Sequence, residues 1–196
     1  MKLNHFSVVQ KMEEHQVKGV SVSLIEEGRL KSVNHYGVRH ADLNQVVADN
    51  AVFNACSISK FATAVLALKL VSKGILHLDE NVNEQLKSWQ VPENAFTKTQ
   101  KVTLRNLLCH QAGFIDPDGS FGVYNSAEKK PSMLDLLIGN SSYYLERAEV
   151  KYEPFTDCIY SDLGYCIIEL LISESLGISF ERSEEHTSEL QSRQVI

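Results

Sequence analysis

The chain has 196 residues, 43% of them hydrophobic and 22% charged, with a formal net charge of −6. That length suffices for one domain with a real core, and the composition is ordinary for a soluble globular protein. The acidic balance gives a general nucleic-acid-binding role no support. No apolar stretch is long enough to span a bilayer, since Lys69 and Lys73 break the best candidate. The start, Met1-Lys2-Leu3-Asn4-His5-Phe6, lacks the apolar run of a signal peptide, so a cytoplasmic location is expected unless the true N-terminus is missing.

Residues 7–16 predict a short amphipathic helix with Val8, Val9, Met12 and Val17 as its apolar stripe. Val20-Ser21-Val22-Ser23-Leu24-Ile25 alternates like a half-buried strand. Glu26-Glu27-Gly28 makes a turn, and residues 30–38 read as the return strand. Residues 40–54 read as an irregular link. A helix from about Ser57 to Lys73 follows, with Gly74 as its stop. It is apolar nearly all round, so a buried central helix is expected. Thr103 is placed to cap a short helix through Cys109. A long polar loop runs from His110 to Lys130, Pro131 begins a helix through Ile138, and a last helix spans about Asp162 to Ser175 with Gly177 as its stop. Strands come first and helices after, which predicts an α+β fold. A two-stranded hairpin is not stable alone, and no convincing third strand is visible, so further C-terminal sequence is expected.

The chemistry concentrates at Ser57-Ile58-Ser59-Lys60. A serine and a lysine three apart on a helix share a face, so the amine can reach the hydroxyl. A hydroxyl is a poor nucleophile until a base takes its proton. The positive end of the helix dipole and burial both push Lys60 toward the neutral amine that a base needs. The competing reading is a helix-capping serine with a snorkelling lysine. Ser126-Ala127-Glu128-Lys129 has the same spacing, but Lys130 and Pro131 follow it, so it reads as loop.

Cys56, Cys109, Cys158 and Cys166 form no Cys-x-x-Cys pair and have no histidine at zinc-finger spacing; reduced, half-buried thiols are expected. Cys56 is a rival nucleophile without a locally placed partner. Walker, GxGxxG, HExxH and Gly-x-Ser-x-Gly patterns are absent, the last arguing against an α/β-hydrolase. No metal or organic cofactor is implied.

Tyr160-Ser161-Asp162 lies just before an apolar helix, where a loop could present Tyr160 to a cleft. A tyrosine near cations can act as a general base; the competing reading is a core tyrosine with a partnered hydroxyl.

Four segments in order resemble the β-lactamase-related serine hydrolases, which include class C β-lactamases, D-alanyl-D-alanine carboxypeptidases and related esterases. They are Phe53–Lys60, Gly74–Glu80, Val102–Phe114 with its Leu-Leu-Cys-His-Gln-Ala-Gly block, and Tyr160–Tyr165. The resemblance runs from about residue 17 to 181. It implies a partial β-lactamase/transpeptidase-like fold, a helical region beside an antiparallel sheet that takes strands from both ends of the chain. It implies Ser57 as the acylated nucleophile, Lys60 with Tyr160 as the proton-handling pair, Asp162 in the substrate-contacting position, and the Ser57 N–H as one oxyanion donor. The reaction implied is hydrolysis of an ester, amide or β-lactam carbonyl through an acyl-enzyme. A non-catalytic binding or sensor domain on the same fold is the alternative, and a structural homologue a third possibility.

Three departures stand out. The family's later Lys/His-Thr/Ser-Gly strand is absent, which predicts weak or no activity for this chain alone. Asp162 replaces the usual asparagine, and its carboxylate would favour the charged form of Lys60, leaving more of the base work to Tyr160. Phe155 follows Pro154 where the family often has Pro-Gly.

Residues Arg182 to Ser192 (Arg-Ser-Glu-Glu-His-Thr-Ser-Glu-Leu-Gln-Ser) match the in-frame translation of a widely used short-read sequencing adapter. The expectation is a partial hydrolase domain over residues 1–181, with residues 182–196 not native.

Overall fold

The computed structural model describes residues 7–185 except 41, 43, 44, 124 and 126. Ser126 and the tail from His186 onward therefore lie outside the described residues. The chain divides into two units, Met1–Ala55 and Cys56–Ile196.

The first unit opens with helix α1 (Val8–Glu14), capped by the Ser7 hydroxyl, which accepts the Gln10 N–H. Strands β1 (Gly19–Glu26) and β2 (Arg29–His40) pair antiparallel. The two turn residues between them, Glu27 and Gly28, have φ of 50° and 72°. A two-residue turn with both φ positive matches the right-handed twist of the flanking strands. The expected irregular link contains a third strand, β3 (Gln45–Val46), which pairs with β2 in the order β1-β2-β3. This corrects the two-strand expectation; two residues are too few to show an alternation. Val47, just beyond β3, donates its N–H to the Gly37 carbonyl and is buried.

The second unit carries the helices. Helix α2 (Ile58–Ser72) starts at Ser57 and stops at Lys73-Gly74, with Gly74 at a φ of 71°. It buries Thr63, Leu66, Ala67 and Leu70 only. Ile58 and Phe61 are each 74% exposed, so the helix is not buried all round as expected. Its apolar residues lie on several faces, and the second unit covers just one of them.

A 3₁₀ turn (Val82–Glu84) and helix α3 (Ala95–Thr99) follow. Neither is apparent in the sequence, being too short for a periodic pattern. Helix α4 (Leu104–Leu108) is closed at its start by a reciprocal pair: Thr103 Oγ1 accepts the Asn106 N–H, and Asn106 Oδ1 accepts the Thr103 N–H. The segment after α2 is tied to α4 twice. The Arg105 N–H donates to the Leu78 carbonyl at 2.9 Å, and the Arg105 guanidinium grips Asp79 through two bonds of 2.6 and 2.8 Å. Helix α5 (Met133–Leu137) starts at Ser132, and α6 (Asp162–Leu176) starts at Ser161 and ends at Gly177 with a φ of 68°. A last helix, α7 (Phe180–Glu185), continues from it.

The core is organised around α6. It buries Leu163, Gly164, Ile167, Ile168, Leu171 and Ile172. These join Leu66, Ala67 and Leu70 of α2 and Leu104 and Leu107 of α4 in one apolar cluster. At about 25 cal/mol per Å² of apolar surface removed from water, each fully buried leucine or isoleucine stabilises by about 2 kcal/mol. Because α2, α4 and α5 all pack on α6, the start of α2, the end of α4 and the start of α6 converge.

Candidate active site

The converging ends carry the residues singled out in the sequence. Ser57 begins α2 in a helical conformation, and its side chain makes no capping hydrogen bond. Its Oγ instead lies 2.7 Å from Tyr160 Oη. The capping reading of Ser57 is not realised. Tyr160 is 52% exposed, so it is not a core tyrosine either. Lys60 Nζ, one turn along α2, reaches Ser57 Oγ at 3.5 Å. The same ammonium is hydrogen-bonded and ion-paired to Asp162 Oδ1. It also sits over the rings of Tyr160 and Tyr165, 4.9 and 5.4 Å from their centroids, as a cation over π faces.

The charge on Lys60 differs from the first expectation. Burial does work downward on the amine, but the hydrogen bonds to Asp162 and Tyr160 and the Asp162 charge outweigh it. The amine is held above the ordinary lysine value. The local reading lacked the carboxylate, which arrives from 102 positions away.

His110 supports Tyr160 from behind. Its ring stacks at 4.4 Å, tilted 31°, on Tyr160 and at 5.3 Å on Tyr165. Its Nδ1 accepts the Ser161 N–H at 3.2 Å, which requires that nitrogen to be unprotonated. Burial, and then the Lys60 charge, push the imidazole below the ordinary histidine value. His110 is therefore neutral beside a charged Lys60.

Backbone strain gathers here. Cys56, His110 and Phe155 have φ of 46°, 57° and 72°, in the left-handed region that favours glycine. Cys56 directly precedes Ser57. Phe155 keeps a glycine-like turn without glycine, and its N–H is fixed to the Gln111 carbonyl at 2.8 Å. Gly113, with φ of 86°, lies so close to the chain that a Cβ would meet the Tyr152 carbonyl at 2.3 Å. The strands of loop on either side of the site are thereby pinned together.

Cys56, Cys109 and Cys158 are exposed rather than half-buried, and none of the four cysteines forms a disulfide. They sit in turns, at a helix end and in an irregular segment, where small side chains find little cover. Cys166 in α6 is partly covered, and burial pushes its thiol up to about 12. Among the described residues, no group of three or more His, Cys, Asp or Glu is placed to hold a metal ion, and no helix is long and apolar enough to cross a membrane.

The sequence reading missed Asp116. It lies in the loop after α4 and bonds the first residues of α6. No local signal marks it, because its partners are 45 to 47 positions away.

The chain is similar to known proteins. A β-lactamase of Pseudomonas fluorescens is 27% identical over 179 residues, covering 90% of this chain and 44% of that protein. Penicillin-binding protein 4* of Bacillus subtilis (strain 168) is 28% identical over 173 residues, covering 86% of this chain and 35% of its own length. The chain thus spans less than half the length of these relatives. The structure of EstCE1, described as a hydrolase with promiscuous acyltransferase activity, superposes with a TM-score of 0.72 at 22% identity, over 91% of this chain and 47% of that one. That likeness concerns the fold, which is part of the β-lactamase/transpeptidase-like architecture. The family description "Beta-lactamase" matches residues 7–186, so the chain belongs to the Beta-lactamase family.

Proposed function

We propose that the protein is a serine hydrolase that opens an ester, amide or β-lactam carbonyl through an acyl-enzyme on Ser57. The observation that carries this reading is the 2.7 Å contact between Ser57 Oγ and Tyr160 Oη beside a lysine ammonium. Family membership supports hydrolase chemistry in general.

The proton route follows from the charges. Lys60, paired with Asp162, is an ammonium and cannot accept a proton. Tyr160, acting in its phenolate form, takes the Ser57 proton while Oγ bonds to the carbonyl carbon. The carbonyl oxygen becomes an oxyanion, facing the Ser57 N–H; one such donor is worth about 3–4 kcal/mol in the transition state. When the tetrahedral intermediate collapses, the phenol returns the proton to the leaving group. Water, activated by the same phenolate, then releases the acyl group and restores Ser57. The family resemblance gives Asp162 a second role, in contacting the substrate. Because the chain spans less than half of its relatives, this activity is assigned to the whole protein.

Burst kinetics of the whole protein with a chromogenic ester or β-lactam test the proposal. Continued turnover after the burst is expected. A single stoichiometric burst indicates a sensor that acylates without release, and no burst with unmodified Ser57 contradicts the proposal.

A further inference from the structure

Asp116 is bound to the start of α6 by both carboxylate oxygens. Oδ1 accepts from Ser161 Oγ at 2.8 Å and from the Leu163 N–H at 3.3 Å, and Oδ2 accepts the Asp162 N–H. The donors are consecutive and directly follow Tyr160. His110 takes the remaining N–H of that stretch, from Ser161. A carboxylate at this position also faces the positive end of a 15-residue helix.

An ordinary helix start needs one capping side chain, and α6 already has it: Ser161 Oγ accepts the Gly164 N–H at 3.2 Å. Asp116 adds a second clamp from a distant loop, on Asp162 and the two residues that flank it. We infer that Asp116 is a positioning residue that holds the Ser161–Leu163 backbone so that Asp162 stays on Lys60 and Tyr160 stays on Ser57. The inference deepens the acyl-enzyme reading and takes its purpose from it. Asp116 touches neither Ser57 nor Lys60 among its hydrogen bonds, so it acts through Asp162.

Lys60 is the reporter. It faces Asp162, Tyr165 and Cys166 from α6, Tyr160 from the loop before it and His110 from the turn after α4. None of these residues changes in an Asp116 variant; only their placement does. The test titrates Lys60 by NMR of isotope-labelled lysine in the intact protein, without substrate. Asp116→Asn is expected to move the Lys60 titration to lower pH by about half a unit to one unit, as Asp162 loosens. Asp116→Glu keeps the charge but displaces the carboxylate, and is expected to shift Lys60 the same way. It also carries the test should the asparagine variant fail to fold. Asp162→Asn is expected to shift Lys60 further, and adding Asp116→Asn to it should then change nothing. A lowered melting temperature with an unmoved Lys60 titration overturns the inference, as does an Asp116 effect that persists in full without Asp162. Failure of the acyl-enzyme reading shows separately, as an unmodified Ser57 in the unaltered protein treated with a reactive β-lactam.

Discussion

Ser57, Lys60 and Tyr160 stand within reach of one another, and the Lys60 charge then decides which of them can act as a base. A paired ammonium cannot take the serine proton, so we propose that Tyr160 does. Tyr160→Phe is accordingly expected to slow acylation by about 10²- to 10⁴-fold, the usual range for loss of a general base. Rates of single-turnover acylation check this. Lys60→Met should be similarly damaging, because the phenolate loses its cation. The pH dependence has a definite sign. Acylation falls at alkaline pH as Lys60, held above the ordinary lysine value, loses its proton. Asp162→Asn removes the partner that raises Lys60, so the alkaline fall moves to lower pH. The same pairing bears on folding. A raised lysine contributes stability that is fully present below the ordinary lysine value of 10.5 and is lost as pH climbs through the raised one. Denaturant melts should therefore lose stability more steeply above that pH in the native protein than in Asp162→Asn.

Phe155 offers a second test at this scale. Its ring is partly exposed and its φ is 72°. Phe155→Ala and Phe155→Gly both remove the ring, but only glycine relieves the left-handed backbone. The glycine variant is expected to be the more stable of the two by about 1 kcal/mol in denaturant melts.

The elements that hold the site were legible wherever capping chemistry and glycine stops marked their ends. Helices α2, α4 and α6 lie within a residue or two of the positions read from Ser57, Thr103, Asp162, Gly74 and Gly177. The 3₁₀ turn, α3, β3 and α7 escaped notice because they are too short to carry a period. The burial of α2 was overstated, since an apolar sequence tells how much surface could be covered and not what covers it. Asp116 was illegible because its partners are brought close only by packing on α6, whereas the Lys60 charge was legible only through the family resemblance that sets the Asp162 carboxylate beside it. The turn after α4 leaves little room for a side chain at Gly113. Gly113→Ala places a methyl group against the Tyr152 carbonyl and the Val150 side chain at a φ of 86°. A loss of about 2–4 kcal/mol is expected from overpacking and backbone strain, measured by chemical denaturation.

On the scale of the whole molecule, the α+β order of strands before helices was read correctly, and the chain matches the Beta-lactamase family over residues 7–186. The site residues Ser57, Lys60, Tyr160 and Asp162 all belong to the second unit, Cys56–Ile196. We propose that residues 182–196 derive from a sequencing adapter rather than from the gene; α7 crosses that boundary, so regular backbone does not decide the matter. An independent read of the gene is expected to depart from this sequence after the codon for Glu181, and identical codons through Ser192 would refute the proposal.

The most direct measurement treats the protein with a reactive β-lactam or ester and maps the covalent adduct by peptide mass spectrometry. The adduct is predicted on Ser57, absent in Ser57→Ala and slow to form in Tyr160→Phe. An adduct on the neighbouring Cys56, or labelling that survives Ser57→Ala unchanged, contradicts the account.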